Sequence, residues 1–452
     1  MKLFTLVLIS LSIVSCNKRP LEKSDKINRM EVTYILATNV QKTTVDIQWG
    51  CSSAAEGYLM YGKTGVENLQ YLWLPSKQHI YHVTGLTLGN DYKAAAFCGS
   101  LDLTNSSYFQ NFSTLSGIAE NIKQRGIWIV GGISYSNGPV TQIDLYDPVD
   151  DIWYEKVTDI PTARTYSAIT AYRNKIYVFG GIVDETPVNT VEEFDASTET
   201  WKTLETMPVA LQGAMAVAGE DGIYLVGGSI STSVSSSIPD VVFRFIPENG
   251  ELGVWKTLPT NNPVAARVDY AGCSAGGTIY INSGRSSSGT VQLVSDAYVV
   301  SSNTTTSLSE ASFGTAAYGI GSVCYKPRPL GPNTEDSPAM FLVGGSSLDN
   351  ITQPPTAIQS TNRFEYYLTP SDTGTNTVST GPNLPVALYY PATEISYENR
   401  KIYVFGGANV VNVPTSKVYS LGLADPSVGV WETETKDMPI ARFGHKAVIL
   451  NR

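Results

Sequence analysis

The chain has 452 residues, enough for two or three domains, and only 16% of them are charged while 42% are hydrophobic. Thirty-nine glycines, 24 prolines and 26 tyrosines accompany that low charge, the composition of many short strands joined by turns. A net charge of −10 leaves no basic surplus to neutralise phosphates, which sets nucleic acid aside as a ligand and leaves an acidic all-β body as the expectation.

The first residues stand apart from that body. In MKLFTLVLISLSIVSC, Lys2 precedes an apolar run from Leu3 to Val14, and small Ser15 precedes Cys16. The run is too short to cross a bilayer as a stable helix and has the layout of a secretory signal. Ile13-Val14-Ser15-Cys16 resembles the lipobox of bacterial lipoproteins, which implies lipidation of Cys16 after cleavage of residues 1–15. Several acyl chains, at about 0.8 kcal/mol per buried methylene, would anchor the protein firmly. Residues 17–27 read as a polar tether. Asn17 departs from the Asp of the inner-membrane retention signal, so the resemblance implies a lipid-anchored protein of the cell envelope, in the outer membrane.

Residues 28–116 are expected to form a small β-sandwich. TTVDIQW alternates as a strand, GYLMYGKTG is a strand running into a turn, and HIYHVTGLTLGNDYKAAAFC is strand, turn and strand. Leu86 to Tyr92, LTLGNDY, with Trp49 upstream, resembles fibronectin type III domains, which implies a corner hydrogen bond from Tyr92. Cys51 and Cys98 then end two facing strands, and in an exported protein a disulfide between them is a candidate. His79 and His82, three apart on a strand, point to opposite faces and do not make a metal pair.

The remainder is repetitive. GIWIVGG, KIYVFGG, GIYLVGG, TIYINSG, MFLVGG and KIYVFGG end at Gly132, Gly181, Gly228, Gly284, Gly345 and Gly407, spaced 49, 47, 56, 61 and 62 residues apart. A Ser/Asn/Thr-rich loop, an aromatic-bearing strand, often a Trp (Trp153, Trp201, Trp255, Trp431) and a Pro-containing turn follow in order. Such units resemble kelch repeats, which implies four strands to a propeller blade over residues 126–452. The array opens with a Gly-Gly strand that has no inner strand before it, and it closes with MPIARFGHKAVILN, an inner strand with no Gly-Gly strand after it. Joining the two, residues 439–451 completing blade one, makes a six-bladed ring without exposed edges.

In a four-stranded meander, the turn leading into the inner strand and the loop after the Gly-Gly strand lie at one end. That end collects Arg164, Tyr166, Arg267, Asp269, Tyr270, Tyr389, Tyr390 and Arg442 from the turns, and Tyr135, Asn189 and Arg285 from the loops. Several arginines at one mouth of an acidic protein point to an anionic ligand, each charge-assisted bond adding about 1.5–3 kcal/mol. The bland alternative has the Pro-x-Ala-Arg arginines bracing blades through backbone carbonyls. Arg164, Tyr166, Arg267, Tyr270, Arg285, Tyr389 and Arg442 are the expected ligand contacts.

Catalytic signals are sparse. Gly272-Cys-Ser-Ala-Gly276 has the hydrolase spacing but falls on an inner strand, not on the strand-to-helix elbow that exposes a nucleophile. No metal site or cofactor is expected: the propeller holds a single histidine, His445, and neither a phosphate loop nor a dinucleotide fingerprint occurs. Cys273 and Cys324 lie on consecutive inner strands and are expected to be buried thiols. The resulting expectation is a membrane-anchored binding protein that recognises a glycan or a protein partner on the propeller loops. The alternative is an epimerase or mutarotase, since the chain is similar to bacterial sialic-acid mutarotases. That resemblance implies an anionic sugar held by the arginines, with Asp269, His445 or Glu394 moving protons.

Overall fold

The computed structural model describes residues 31–450 apart from 64–67, 101–108, 137, 232–241, 248–250, 259–266, 287–289, 309–316, 326–338, 347–361, 369–376, 410–412 and 425. The signal-like segment, Cys16 and the tether lie outside the described residues. The chain divides into two compact units, one running to Ile118 and the other beginning at Ala119. No described helix is long and apolar enough to cross a membrane.

The first unit holds β1 (Val32–Thr38), β2 (Val45–Gly62), β3 (Asn68–Val83), β4 (Asp91–Cys98) and β5 (Phe109–Ser113), all antiparallel. The two strands expected around Trp49 and Tyr58 are one, the 18-residue β2. Cys51-Ser-Ser-Ala-Ala-Glu56 has no Pro, Gly or Asn-Gly to reverse the chain, so the backbone stays extended and takes up the misfit as register shifts near Gly50 and Ala55. The first half of β2 pairs with β1 and the second with β4, while β3 follows both. The core gathers Ile35, Val45, Ile47, Trp49 and Leu59, all at most 1% exposed. Trp49 stacks on buried His79, whose Nε2 lies 3.0 Å from the Ala55 carbonyl, whereas His82 faces solvent beside Asp46. The Tyr92 hydroxyl accepts a hydrogen bond from the Thr87 amide, five residues upstream, at 2.8 Å. Cys51 and Cys98 are disulfide-bonded, with Cα atoms 5.9 Å apart.

The second unit contains, among the described residues, six four-stranded antiparallel sheets. Their innermost strands are Lys446–Val448, Ala168–Tyr172, Met215–Gly219, Ala271–Ala275, Gly321–Tyr325 and Ala392–Ser396, each lying beside the next, and the last beside the first. The C-terminal strand Lys446–Val448 pairs with Ile127–Val130, so one sheet is built from both ends of the unit. Tryptophans bind four of the six sheets to the one before. Trp201 Nε1 donates to Thr158 Oγ1 at 3.0 Å, Trp255 to the Glu205 carbonyl at 3.0 Å and Trp431 to the Pro382 carbonyl at 2.8 Å. Trp153, of the sheet that holds the C-terminal strand, packs edge-on against Phe405 of the sheet preceding that strand, at 6.2 Å. At these four junctions the buried and partly buried rings fill space between faces that no strand pairing joins.

Cys273 and Cys324 correct the thiol expectation. They are disulfide-bonded across neighbouring inner strands, Cα atoms 5.5 Å apart. Facing residues of adjacent inner strands approach closely enough for a bridge, and a link across 51 residues of sequence is of the kind that contributes about 2–4 kcal/mol. Ser274, the central serine of the hydrolase-like spacing, donates its hydroxyl to the Ala218 carbonyl of the adjacent inner strand at 2.6 Å. It is a brace between sheets.

Candidate functional site

Each innermost strand is preceded by a turn that bridges the residue following a Gly-Gly or Ser-Gly pair. The bridges are Phe443 to Ile133, Thr165 to Ile182, Gln212 to Ser229, Val268 to Arg285, Tyr318 to Ser346 and Tyr389 to Ala408. The second glycine of the pair makes this approach possible. A Cβ at Gly181 (φ 101°) would lie 2.6 Å from the Thr165 carbonyl oxygen. Turns and post-glycine loops therefore meet at one end of the sheets, where the candidate residues sit.

Three of the expected anion-binding arginines do not face that mouth. Arg164, Arg267 and Arg442 are at most 3% exposed, and each pairs with an acid on the third strand of its own sheet: Glu192, Asp296 and Asp144. Each also donates to backbone carbonyls at the end of the Gly-Gly strand or the start of the third. Arg267 Nη1 reaches Ser283 O at 3.0 Å and Val294 O at 2.9 Å; Arg442 Nη1 reaches Gly131 O at 3.3 Å and Gln142 O at 2.9 Å. Burial depresses the pKa of all three guanidiniums despite the paired acids. These arginines brace a turn to its own blade: their Nη groups are taken by the paired acid and the backbone carbonyls, and burial keeps the guanidiniums away from a ligand at the mouth.

Two further expectations change likewise. Tyr270 is buried, its hydroxyl donating to the Val226 carbonyl of the neighbouring sheet. Tyr389 is 5% exposed and packs with Phe443 and Ala408. Both rings are spent on packing. Glu394 is buried on its inner strand, where its Oε1 accepts from the Ile395 amide at 2.9 Å.

The residue after each bridged position takes the left-handed conformation. In ring order these are Tyr166 (φ 53°), Gly213 (63°), Asp269 (54°), Gly319 (61°), Tyr390 (50°) and Gly444 (64°). The amides of Gly213, Gly319, Tyr390 and Gly444 donate to the carbonyls of Tyr166, Asp269, Gly319 and Tyr390 at 2.6–3.0 Å, linking one turn to the next. Glycine is the unstrained choice here, yet every second position carries a side chain, at a cost of about 1–3 kcal/mol each. The glycines give those side chains room: a Cβ at Gly319 would lie 3.0 Å from the Tyr390 ring.

Around this collar the Tyr390 ring meets Tyr166 at 6.4 Å and Tyr318 at 6.1 Å between centroids, and the Arg285 guanidinium lies 4.6 Å over Tyr318. Arg285 forms an ion pair with Asp269. Burial works against the Arg285 cation, but the Asp269 charge and hydrogen bond, with Tyr390 and Tyr318, together outweigh it and its pKa rises. Burial, then the Asp269 charge, pushes the Tyr166 hydroxyl up to about 12 and Tyr390 further. Of the expected contacts, Tyr166 and Arg285 are thus at the mouth, and Asp269 joins them. Exposed Tyr135 stands on a neighbouring loop.

Beneath the collar is a cavity of about 60 Å³ lined by Tyr166, Asp269, Tyr390, His445 and Lys446. His445 is 2% exposed; burial, then the Arg442 and Lys446 cations, hold its pKa well below the usual imidazole value, so the ring is neutral. Lys446 retains access to solvent, although burial of its ammonium lowers its pKa against the pull of Asp269. Sequence reasoning missed Lys446 and Tyr318. The signal for Lys446 lies in the alignment of inner strands, whose first residues are otherwise Ala168, Met215, Ala271, Gly321 and Ala392. Tyr318 carried no signal beyond its place in a turn.

Comparison with known proteins agrees with this architecture. The Kelch motif model matches residues 163–208, which span the Arg164 turn and the sheet that follows it. The chain is 28% identical over 213 residues to Kelch-like protein terF of Aspergillus terreus, covering 42% of this chain and 44% of that one. It is 29% identical over 103 residues to Kelch-like protein 38 of Rattus norvegicus, covering 23% and 18%. It is 26% identical over 174 residues to the Kelch repeat and BTB domain-containing protein 1 of Cowpox virus, covering 38% and 29%. The chain spans less than half the length of these curated relatives. The solved structure of YjhT superposes with a TM-score of 0.53 at 14% identity, over 68% of this chain and 97% of that one, a likeness of fold alone. The sheets, their glycine pairs and the motif match together make the second unit a kelch-repeat β-propeller.

Proposed function

We propose that this chain is a binding protein of the cell envelope, lipid-anchored in the outer membrane through Cys16, whose six-bladed propeller recognises a protein or glycan partner at its loop-bearing mouth. A fibronectin III-like unit would lie between anchor and propeller in the chain. The observation that carries the binding reading is the mouth itself: a collar of Tyr166, Tyr318 and Tyr390 around an Arg285–Asp269 pair, above a cavity of about 60 Å³. Tyrosine and arginine are the residues that dominate macromolecular interfaces, whereas small-molecule sites have volumes of roughly 300–1,000 Å³. Kelch repeats generally serve protein–protein binding, which supports a protein partner.

Arrays of envelope proteins and glycans probed with the full chain test this. A true ligand should bind at least tenfold more weakly to Tyr318→Ala, and equally well to Lys256→Ala on an outer strand. Equal affinity for both variants rejects the mouth. Asp269 and His445 do share one cavity, the observation that favours a sugar epimerase as second reading. Accelerated anomer exchange of N-acetylneuraminate by the chain, abolished by Asp269→Asn, would put that reading first. For the anchor, Cys16→Ser should shift the protein from the membrane to the soluble fraction of cells; retention in the membrane would discard it.

A further inference from the structure

We propose that the cavity at the centre of the propeller holds one small oxyanion, a carboxylate or a phosphate, gripped by the Lys446 ammonium and the Tyr166 and Tyr390 hydroxyls, with His445 behind it. The argument is one of donors and acceptors and does not depend on what the outer loops bind. Lys446 brings three N–H donors into the cavity and makes no hydrogen bond or ion pair at contact distance among the described residues. The Tyr166 and Tyr390 hydroxyls, one donor each, likewise meet no acceptor of the protein's own there. His445 is 98% buried against the same space, and neither ring nitrogen reaches a partner at hydrogen-bonding geometry.

Against these donors the cavity offers one carboxylate, Asp269, which is already committed to Arg285. The local charge balance, Arg285 against Asp269 with Lys446 in surplus, is therefore one positive charge, and His445 adds none because it is neutral. Lys446 keeps access to solvent, so an anion can reach it from outside. The volume of about 60 Å³ admits a few waters or an anion of several heavy atoms. The left-handed turns at Tyr166 and Tyr390 fix both rings at the rim, so the donors are in place before the anion arrives. At the same register the other inner strands begin with Ala, Met or Gly, so nothing but Lys446 introduces charge on that layer.

The test is isothermal titration of the full chain with sodium acetate and, separately, sodium phosphate in a dilute zwitterionic buffer. Saturable one-to-one binding is expected in the unmodified chain and in Lys256→Met, weakened at least tenfold in Lys446→Met. The doubly substituted Tyr166→Phe/Tyr390→Phe chain keeps both rings and should bind several-fold more weakly, which serves if Lys446→Met does not fold. Saturation by acetate alone identifies a carboxylate, and by phosphate alone a phosphate. Absence of saturable binding in the unmodified chain, or unchanged affinity in either variant, overturns the proposal.

Discussion

Replacing Arg442 by alanine is expected to destabilise the propeller by about 3–5 kcal/mol, because it leaves Asp144 as an uncompensated buried charge. Both side chains are 0% exposed, and the pair joins residues 298 apart in sequence. Arg442 also donates to the Gly131 and Gln142 carbonyls, so the substitution loosens the C-terminal strand from the sheet it completes. Asp144 keeps its Gln142 side-chain and Lys156 amide donors, at 2.7 and 2.8 Å, which limits the loss. Urea unfolding followed by tryptophan fluorescence should show a lower midpoint with an unchanged slope. Arg442→Met combined with Asp144→Asn should recover a large part of the loss, since no buried charge then lacks a partner. An Arg442→Ala midpoint equal to that of the unmodified chain would show that the bridge is dispensable. The same substitution separates structure from recognition: Arg442→Ala lowers stability, whereas Tyr318→Ala acts on ligand affinity.

Acid should weaken both units through one histidine each. Burial pushes His79 in the first unit below the usual imidazole value; burial and the Arg442 and Lys446 cations push His445 in the second well below it. Unfolding restores an ordinary imidazole with a pKa near 6.5. Below that pH the unfolded chain binds a proton that the folded chain refuses, so stability falls as pH falls, by up to about 1.4 kcal/mol per pH unit for each group. The contribution is whole above pH 6.5 and drains away toward the depressed folded pKa. Asp296, whose carboxyl pKa is raised by burial against the Arg267 charge, works in the opposite sense at lower pH. Between pH 6.5 and 5.0 the propeller should lose stability through His445, by at most roughly 1.7 kcal/mol. Thermal unfolding across that range should be nearly flat for His445→Gln in the propeller transition and for His79→Gln in the other. A profile unaltered by His445→Gln would mean that the imidazole is protonated in the fold.

The repeat was legible without coordinates because it rests on local physics. Glycine pairs appear where a turn must pass close to the backbone, as at Gly181 against Thr165, and tryptophans where sheet faces need filling, as Trp255 against Phe179 at 5.9 Å. The meander rule also put turns and post-glycine loops at one end, where the six bridges join them. The alternation at His79 and His82 likewise separated a core ring from an exposed one. What misled was the arginines. Pro-x-Ala-Arg says that a cation sits in the turn, but not whether it faces the mouth or turns inward. Their partners were in view: Glu192 and Asp296 follow Arg164 and Arg267 by 28 and 29 residues, and Asp144 becomes the equivalent for Arg442 once the ring closes.

Sequence by itself determined the all-β composition, the period, the glycine and tryptophan positions and the incomplete units at either end, because each follows from backbone conformation and side-chain volume within one blade. Tertiary structure alone decided which charges are spent and which remain. Arg164, Arg267 and Arg442 are buried beside acids from their own third strands, Cys273 meets Cys324 across two sheets, and Lys446 enters a cavity with Tyr166 and Tyr390. The fate of a charge depends on the groups around it, and here those groups come from turns and inner strands as much as 280 residues apart, from Tyr166 to Lys446, brought together only when the sheets form a ring.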